Sequence, residues 1–179
     1  MDAMQIRNSS ISGFRGAEHQ RAIGYLALFE LRASGTAGGT FTSGAWQVRA
    51  LSVASPNHIP DAITAALPLV TLPRGVYDVF AQAPAWGVNR HVLQLWDVTN
   101  GAALLSGVSG FAAAAVGNYI MSQTNSFIIG RIYLSGATQL RLEHRCQTTK
   151  ATDGFGLAMG VSFAVVTEVY ATLEFWKVG

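Results

Sequence analysis

Apolar and polar residues alternate with a period of two along several short stretches of the chain. The clearest stretch is residues 75–83 (GVYDVFAQA), where Tyr77 and Ala81 fall on one face and Asp78 and Phe80 on the other. Successive side chains of a β-strand point to opposite faces, so this alternation predicts a half-buried strand.

Comparable stretches recur at short intervals, and turn signals separate them. Asn100-Gly101 is typical of a hairpin turn, whereas the two prolines of residues 55–60 predict a loop. Further strands are predicted over residues 40–51, 67–72, 91–98, 102–108, 126–134, 139–146, 159–166 and 169–178, and residues 25–31 form either a strand or a helical turn. With no amphipathic helix longer than ten residues, this series predicts an all-β fold, most simply a jelly-roll β-sandwich.

The domain organisation predicted from the sequence is simple. The polar, glycine-containing N-terminal residues 1–30 are predicted to be an arm or anchor segment, and residues 31–179 the β-sandwich domain. Half of the residues are hydrophobic and only 12% are charged, about half the usual charged fraction. This composition indicates a surface partly covered by copies of the chain or by a larger assembly.

Charge and composition exclude several classes of function. The net charge is +2, and the basic residues are scattered, so nucleic-acid binding is not expected. A single cysteine excludes an intrachain disulfide, and there is neither a secretion signal nor the ~20-residue apolar run of a membrane helix. We therefore expect a soluble protein, made in a reducing cytoplasm, without membrane insertion.

Residues 142–156 (LEHRCQTTKATDGFG) resemble a catalytic cluster at first sight. Alternation, however, places His144 and Cys146 on the inward face, ~6–7 Å apart along the strand, too far for a nucleophile and its base. A buried thiol beside a hydrogen-bonded histidine is favoured over a metal site built from His144, Cys146 and His91. No phosphate loop or hydrolase elbow occurs, so the sequence predicts a non-enzymatic protein without cofactor or metal.

Two stretches resemble a known superfamily. Residues 75–82 (GVYDVFAQ) are similar to the central strand of tumour necrosis factor and complement globular heads, and residues 169–178 (VYATLEFWKV) resemble the last strand of that fold. Three further blocks resemble domains of bacteriophage or prophage tail-fibre and virion proteins; they are residues 33–46, 89–91 with 96–101, and 142–156. The resemblance implies a jelly-roll homotrimer and does not fix one function.

In the superfamily, strands at 75–83, 139–146 and the C-terminus are expected to share the sheet that faces the threefold axis. Their outward side chains would then form the trimer interface, with arginines and carboxylates paired across subunits. The expected interface residues are Asp78, Phe80, Arg141, Glu143, Arg145, Tyr170, Thr172, Glu174 and Trp176. The alternative for these side chains is a solvated polar face.

A ligand surface is the second kind of candidate site. Trp86, Asn89 and Arg90 cluster near one loop, and an exposed aromatic beside polar groups is suited to sugar binding. The alternative for Trp86 is a structural role in sealing the end of the sandwich.

The resemblance implies a role in a tailed-phage particle. We expect a non-enzymatic virion structural protein, a trimeric knob that decorates or reinforces the capsid or forms a head fibre. Its arm would bind other virion proteins, and the protein would be made in the bacterial host cytoplasm before joining the virion. The alternative function is a receptor-binding module at the tail tip that holds a host surface glycan, three copies acting by avidity.

Overall fold

The computed structural model describes residues 24–114, 120–160 and 167–179. These residues form eleven β-strands, and none of them lies in a helix, so no helix in this part of the chain could cross a membrane. The strands are β1 (Gly24–Ala33), β2 (Gln47–Val48), β3 (Val53–Asn57), β4 (Val70–Leu72), β5 (Gly75–Trp86), β6 (Asn89–Asp97), β7 (Ala102–Ser106), β8 (Gly110–Ala112), β9 (Gln123–Leu134), β10 (Thr138–Cys146) and β11 (Thr167–Lys177).

The strands form two antiparallel sheets. The five-stranded sheet has the order β3-β1-β11-β5-β9, and the six-stranded sheet has the order β2-β10-β6-β7, with β4 pairing β10 and β8 pairing β6. The start of the first strand and the end of the last strand are adjacent in space, because Gly24 on β1 lies opposite Lys177 on β11.

The hydrophobic core fills the space between the sheets. Each sheet contributes alternate residues, and each large side chain withdrawn from water stabilises the fold by about 1.5–3 kcal/mol. The fully enclosed aliphatic and aromatic side chains include Leu26, Leu28, Tyr77, Leu93, Leu95, Ile128, Leu140, Leu142, Leu173 and Phe175.

The alternation along residues 75–83 is confirmed. Tyr77 and Ala81 are fully buried between the sheets, whereas Asp78 and Phe80 lie on the outward side of β5. The predicted hairpin after β6 is also confirmed, since β6 pairs with β7. Only Gly101 takes a positive φ there, so the turn is not the type I′ turn that Asn-Gly favours.

Three local predictions differ from the structure. Residues 53–57 form an edge strand despite Pro56, because a proline is tolerated where the ladder has no further neighbour. The predicted strand over 40–51 is reduced to Gln47–Val48. Strand β1 already includes residues 24–30, which the sequence predicts as part of the arm, so these residues belong to the sheet. Residues 1–23 and 161–166, including most of the strand predicted over 159–166, lie outside the described residues.

A register shift changes the predicted faces at the start of β11. The pairing of β1 with β11 skips one residue between Glu30 and Leu31, which leaves Tyr170 without an opposite partner. Tyr170 is therefore buried, although alternation predicted it on the outward face. Its neighbour Val169 lies on the outward side and is 54% exposed.

Candidate functional site

The outward face of the five-stranded sheet carries a band of apolar side chains, which we call the aromatic face. Two of its members on β9 are among the most exposed large apolar residues described, with Ile129 81% and Tyr133 74% exposed, and Phe127 on the same strand is 37% exposed. The aromatic face consists of Tyr25, Phe29, Phe80, Phe127, Ile129, Tyr133 and Trp176. Exposed apolar side chains grouped on one face are typical of surfaces that contact another molecule.

Cross-strand pairing brings members of the aromatic face next to one another and next to Glu174. Ile129 on β9 lies opposite Phe80 on β5, and Phe80 lies opposite Glu174 on β11. At the other side of the face, the rings of Tyr25 and Trp176 lie 5.2 Å apart. These pairs extend across the four strands β1, β11, β5 and β9.

Polar contacts hold this face in one conformation. The Tyr25 hydroxyl donates to Glu174 Oε2 at 2.6 Å; burial and this hydrogen bond raise the pKa of Tyr25 to about 12. Asp78 and Arg131 form a two-point ion pair, from Arg131 Nε to Oδ1 at 2.6 Å and from Nη2 to Oδ2 at 2.9 Å. The Arg131 hydrogen bonds lower the pKa of the Asp78 carboxyl.

Five of the expected interface residues lie on the outward side of this sheet, on β5 and β11: Asp78, Phe80, Thr172, Glu174 and Trp176. Tyr170 does not, because its buried hydroxyl donates to the Thr36 carbonyl at 2.9 Å. The β9 residues Phe127, Ile129, Arg131 and Tyr133 were missed by the sequence analysis. The signal for them was present, since 126–134 is apolar on both alternating faces.

The expectation that residues 139–146 share this sheet is wrong. β10 pairs with β2, β4 and β6 in the six-stranded sheet, so Arg141, Glu143 and Arg145 lie on the opposite outer face of the sandwich. Glu143 is already paired within the same chain. Its Oε1 accepts from Arg141 Nε at 2.7 Å, and its Oε2 accepts from Gln94 Nε2.

A buried polar cluster lies at one end of the core. The Arg49 side chain is fully enclosed, and its Nε donates to Glu30 Oε2 at 2.9 Å. Its Nη2 donates to the Tyr170 carbonyl at 2.8 Å, and the guanidinium lies 4.2 Å above the centre of the Phe155 ring. These contacts join β1, β11 and the loop that precedes β11.

The two buried histidines bond to each other. His91 Nδ1 lies 3.0 Å from His144 Nε2, and His91 Nε2 lies 2.8 Å from Thr124 Oγ1. Burial, together with the charge of Arg49, lowers the pKa of His91 to about 4 and lowers that of His144 well below its usual value. The inward orientation predicted for His144 is confirmed.

The chemistry of Cys146 is that of a buried structural thiol. Its Sγ lies 3.4 Å from the Thr148 carbonyl, and burial raises its pKa to about 11, so the thiol stays protonated near neutral pH. Among residues 24–114, 120–160 and 167–179, no three His, Cys, Asp or Glu side chains are grouped closely enough to hold a metal ion.

The structure places the three expected ligand-facing residues on two consecutive strands, Trp86 on β5 and Asn89 and Arg90 on β6. Trp86 ends β5 and is half-buried, whereas the exposed Arg90 lies on β6 in the other sheet. The Asn89 amide is occupied internally, because it donates to Thr148 Oγ1 at 2.9 Å and accepts from the Ala114 amide at 3.1 Å. The Asn89 side chain thus stabilises the turn and the neighbouring loop.

The two sheets and their strand order define a jelly roll of the tumour necrosis factor and complement globular-head type. No protein-family model matches the chain, and no match was found among curated proteins.

The chain is similar in structure to several solved proteins. Their sequence identities to it are so low that the similarity shows the fold alone. The globular domain of zebrafish complement 1qA aligns with 87% of this chain and 98% of its own, with a TM-score of 0.54 and 14% identity. Murine APRIL aligns with a TM-score of 0.53 and 11% identity, over 86% of this chain and 98% of its own. The Eiger TNF of S. frugiperda aligns with a TM-score of 0.53 and 13% identity, over 87% of this chain and 94% of its own.

Proposed function

We propose that this chain is a non-enzymatic jelly-roll head that functions as a homotrimer and forms a structural knob on a bacteriophage particle. The observation that carries the trimer is the aromatic face, where Ile129 and Tyr133 are mostly exposed in the single chain. Domains of this fold commonly form homotrimers.

Threefold association explains why a sheet would keep apolar side chains on both faces. In a closed ring, each chain covers the aromatic face of its neighbour and leaves no copy unpaired. Each Å² of apolar surface withdrawn from water contributes roughly 25 cal/mol, less the cost of association. The Asp78–Arg131 pair at the same surface adds directionality, because a fixed charge pair disfavours misaligned contacts.

The non-enzymatic part of the proposal is supported by the chemistry of the interior. The polar side chains that most resemble catalytic groups, His91, His144 and Cys146, are buried and bonded to protein atoms. A protonated thiol and a pair of neutral histidines bonded to each other are stabilising groups rather than an exposed nucleophile and base.

The phage role is supported by the three sequence blocks that resemble virion and tail-fibre domains, of which residues 142–156 form the longest. In this proposal the knob decorates or reinforces the capsid, or forms a head fibre, and residues 1–23 contribute to binding another virion protein. Receptor binding at the tail tip is the alternative role for the same knob.

The trimer is tested by light scattering on a sizing column at low and high salt. We expect a mass three times the 19.0 kDa of one chain at both salts. Ile129→Glu should lower the mass towards that of one chain, because three carboxylates would be desolvated in the interface. Ile63→Glu, at a loop residue with 56% exposure outside the aromatic face, is the matched control and should keep the trimer. A monomeric wild-type protein at both salts would contradict the proposal.

The virion role is tested separately, by immunogold electron microscopy of purified particles from a phage or induced prophage that encodes the chain. Label at regular capsid positions would support decoration, and label at the tail tip would support the receptor-binding alternative. If purified particles carried no label, both the decoration role and the receptor-binding role would be contradicted.

A further inference from the structure

An open cleft lies on the outer face of the six-stranded sheet, away from the aromatic face. It has a volume of about 220 Å³ and lies over the paired strands β6 and β10. Val92 and Arg145, which are opposite each other in the ladder, form part of its lining, together with Arg90, Ser109 and Gln147. His91 and Cys146 complete the lining, and most of the wall is formed by carbon atoms.

Two arginines at this cleft have no carboxylate partner among the described residues. Arg90 and Arg145 are both exposed and are diagonal neighbours across the β6–β10 ladder, a spacing of about 7–8 Å that long side chains can bridge. The only side-chain hydrogen bond found for Arg90 in the described chain is a long one, 3.4 Å to Gln147 Oε1.

The nearest carboxylate on the same face of β10, that of Glu143, does not neutralise Arg90 and Arg145. Glu143, two residues before Arg145 on β10, is buried, and both of its oxygens are engaged by Arg141 and Gln94. Two like charges held this close on one rim favour an anion that both can contact.

An exposed aromatic ring adjoins the charged rim. Phe111 on β8 lies directly opposite Arg90 on β6 and is 58% exposed. A flat apolar ring beside two cations, with the hydroxyl of Ser109 and the amide of Gln147 near the same cleft, offers one stacking surface and several hydrogen-bonding groups. Binding sites commonly combine a mostly apolar lining with a few convergent polar groups.

We propose that this cleft binds an acidic saccharide, a sugar ring that carries a carboxylate. Arg90 and Arg145 would hold the carboxylate by paired N–H donors, and Phe111 would pack against the apolar face of the ring. The small cleft suits one or two sugar rings. A nucleic acid fits less well, because its phosphate chain would need a basic stripe and the chain has only scattered basic residues. All of these residues belong to one chain, so binding does not depend on the trimer.

The test is isothermal titration calorimetry of the full chain with trigalacturonate, and with neutral maltotriose as the matched sugar. We expect binding of trigalacturonate that weakens with added salt, and at least tenfold weaker binding of maltotriose. Arg145→Gln and Phe111→Ala should each reduce affinity for trigalacturonate by tenfold or more. Arg74→Gln, at an exposed arginine outside the cleft, should leave the affinity unchanged. Far-UV circular dichroism of each variant verifies the fold.

Other results would overturn the proposal. These are no heat of binding at millimolar trigalacturonate, equal affinity for maltotriose, or affinity unchanged in Arg145→Gln. Equal or tighter binding of inorganic phosphate or of a short single-stranded DNA would assign the cleft to anions in general. The Ile129→Glu variant separates this proposal from the trimer, since it should bind trigalacturonate with the same affinity per chain whether or not the wild type is trimeric.

Discussion

Arg49 and Glu30 form an ion pair that is enclosed between the two sheets, with Nε and Oε2 2.9 Å apart and neither side chain more than 2% exposed. Glu30 lies on β1, and Arg49 follows β2, so the pair joins the first strand of one sheet to the edge of the other. Arg49 also donates to the backbone carbonyl of Tyr170, the residue displaced by the register shift. The pair therefore fastens the irregular start of β11.

Removing one partner of this pair should be costly. Arg49→Met leaves the Glu30 carboxylate buried without its main partner, which is expected to lower the free energy of unfolding by about 3–5 kcal/mol. Urea denaturation at fixed protein concentration measures the change. Lys150→Met, which removes a partly exposed pair with Asp153 at 3.5 Å, should cost less than about 1 kcal/mol. Equal effects of the two substitutions would contradict this assignment.

The buried histidine pair should make the protein sensitive to mild acid. Both folded-state pKa values are lowered, that of His91 to about 4, so the unfolded chain takes up protons first as the pH falls below about 6.5. The stability that His91 contributes is then complete above pH 6.5 and is lost progressively between about 6.5 and 4. For His91 alone the loss is on the order of 3 kcal/mol, at about 1.4 kcal/mol per pKa unit.

Urea denaturation from pH 7.5 to 4.5 measures this dependence. His91→Gln should flatten the profile over that range, even if the variant is less stable at pH 7.5. His58→Gln, at an exposed histidine in the loop after β3, should leave the slope unchanged. A wild-type stability that does not change between pH 6.5 and 4.5 would show that the pair does not control acid stability.

Arg141 should matter for stability but not for assembly. It lies on the six-stranded sheet and contacts Glu143 Oε1, whose carboxylate is buried. Arg141→Met should lower the free energy of unfolding by about 1–3 kcal/mol, because a buried acceptor loses a charged donor. The solution mass should be the same as that of the wild type, in contrast to Ile129→Glu. A loss of the oligomer in Arg141→Met would instead show that β10 contributes to the interface.

Gly156 should tolerate no side chain. Its φ is +143°, and a Cβ there would overlap the Tyr170 ring. We expect Gly156→Ala to destabilise the fold by about 1–3 kcal/mol through strain and overpacking. Gly136→Ala is the matched control, since a Cβ at that turn meets nothing within 4 Å. Thermal unfolding of the two variants compares them, and a similar midpoint for both would contradict the role of Tyr170.

The sequence was sufficient to predict the fold class and the faces of regular strands. Period-two alternation identified β5 and β10 and correctly predicted that Tyr77 and His144 point inward. A strand buried on one face has alternating apolar and polar neighbours, and this pattern can be read from the local sequence. Alternation does not record which sheet a strand joins. The sheet depends on pairing between distant residues, and β10 was therefore assigned to the wrong outer face.

Two further differences have local causes. One unpaired residue in β11 shifts the alternation, which is why Tyr170, predicted outward, is buried. The buried cation Arg49 could not be predicted from its neighbours, because its partners Glu30 and the Tyr170 carbonyl are 19 and 121 residues away.

The pairing of Gly24 with Lys177 gives the sandwich a definite polarity. Strand β1 begins and β11 ends at one pole of the sandwich, and β5 runs from Gly75 near that pole to Trp86 at the far pole. Arg90, close after Trp86 in the chain, lies towards the far pole with Phe111. A reporter fused beyond either end of the sandwich should therefore leave the saccharide cleft accessible, and a particle that held the knob by those ends would direct the cleft away from its own surface.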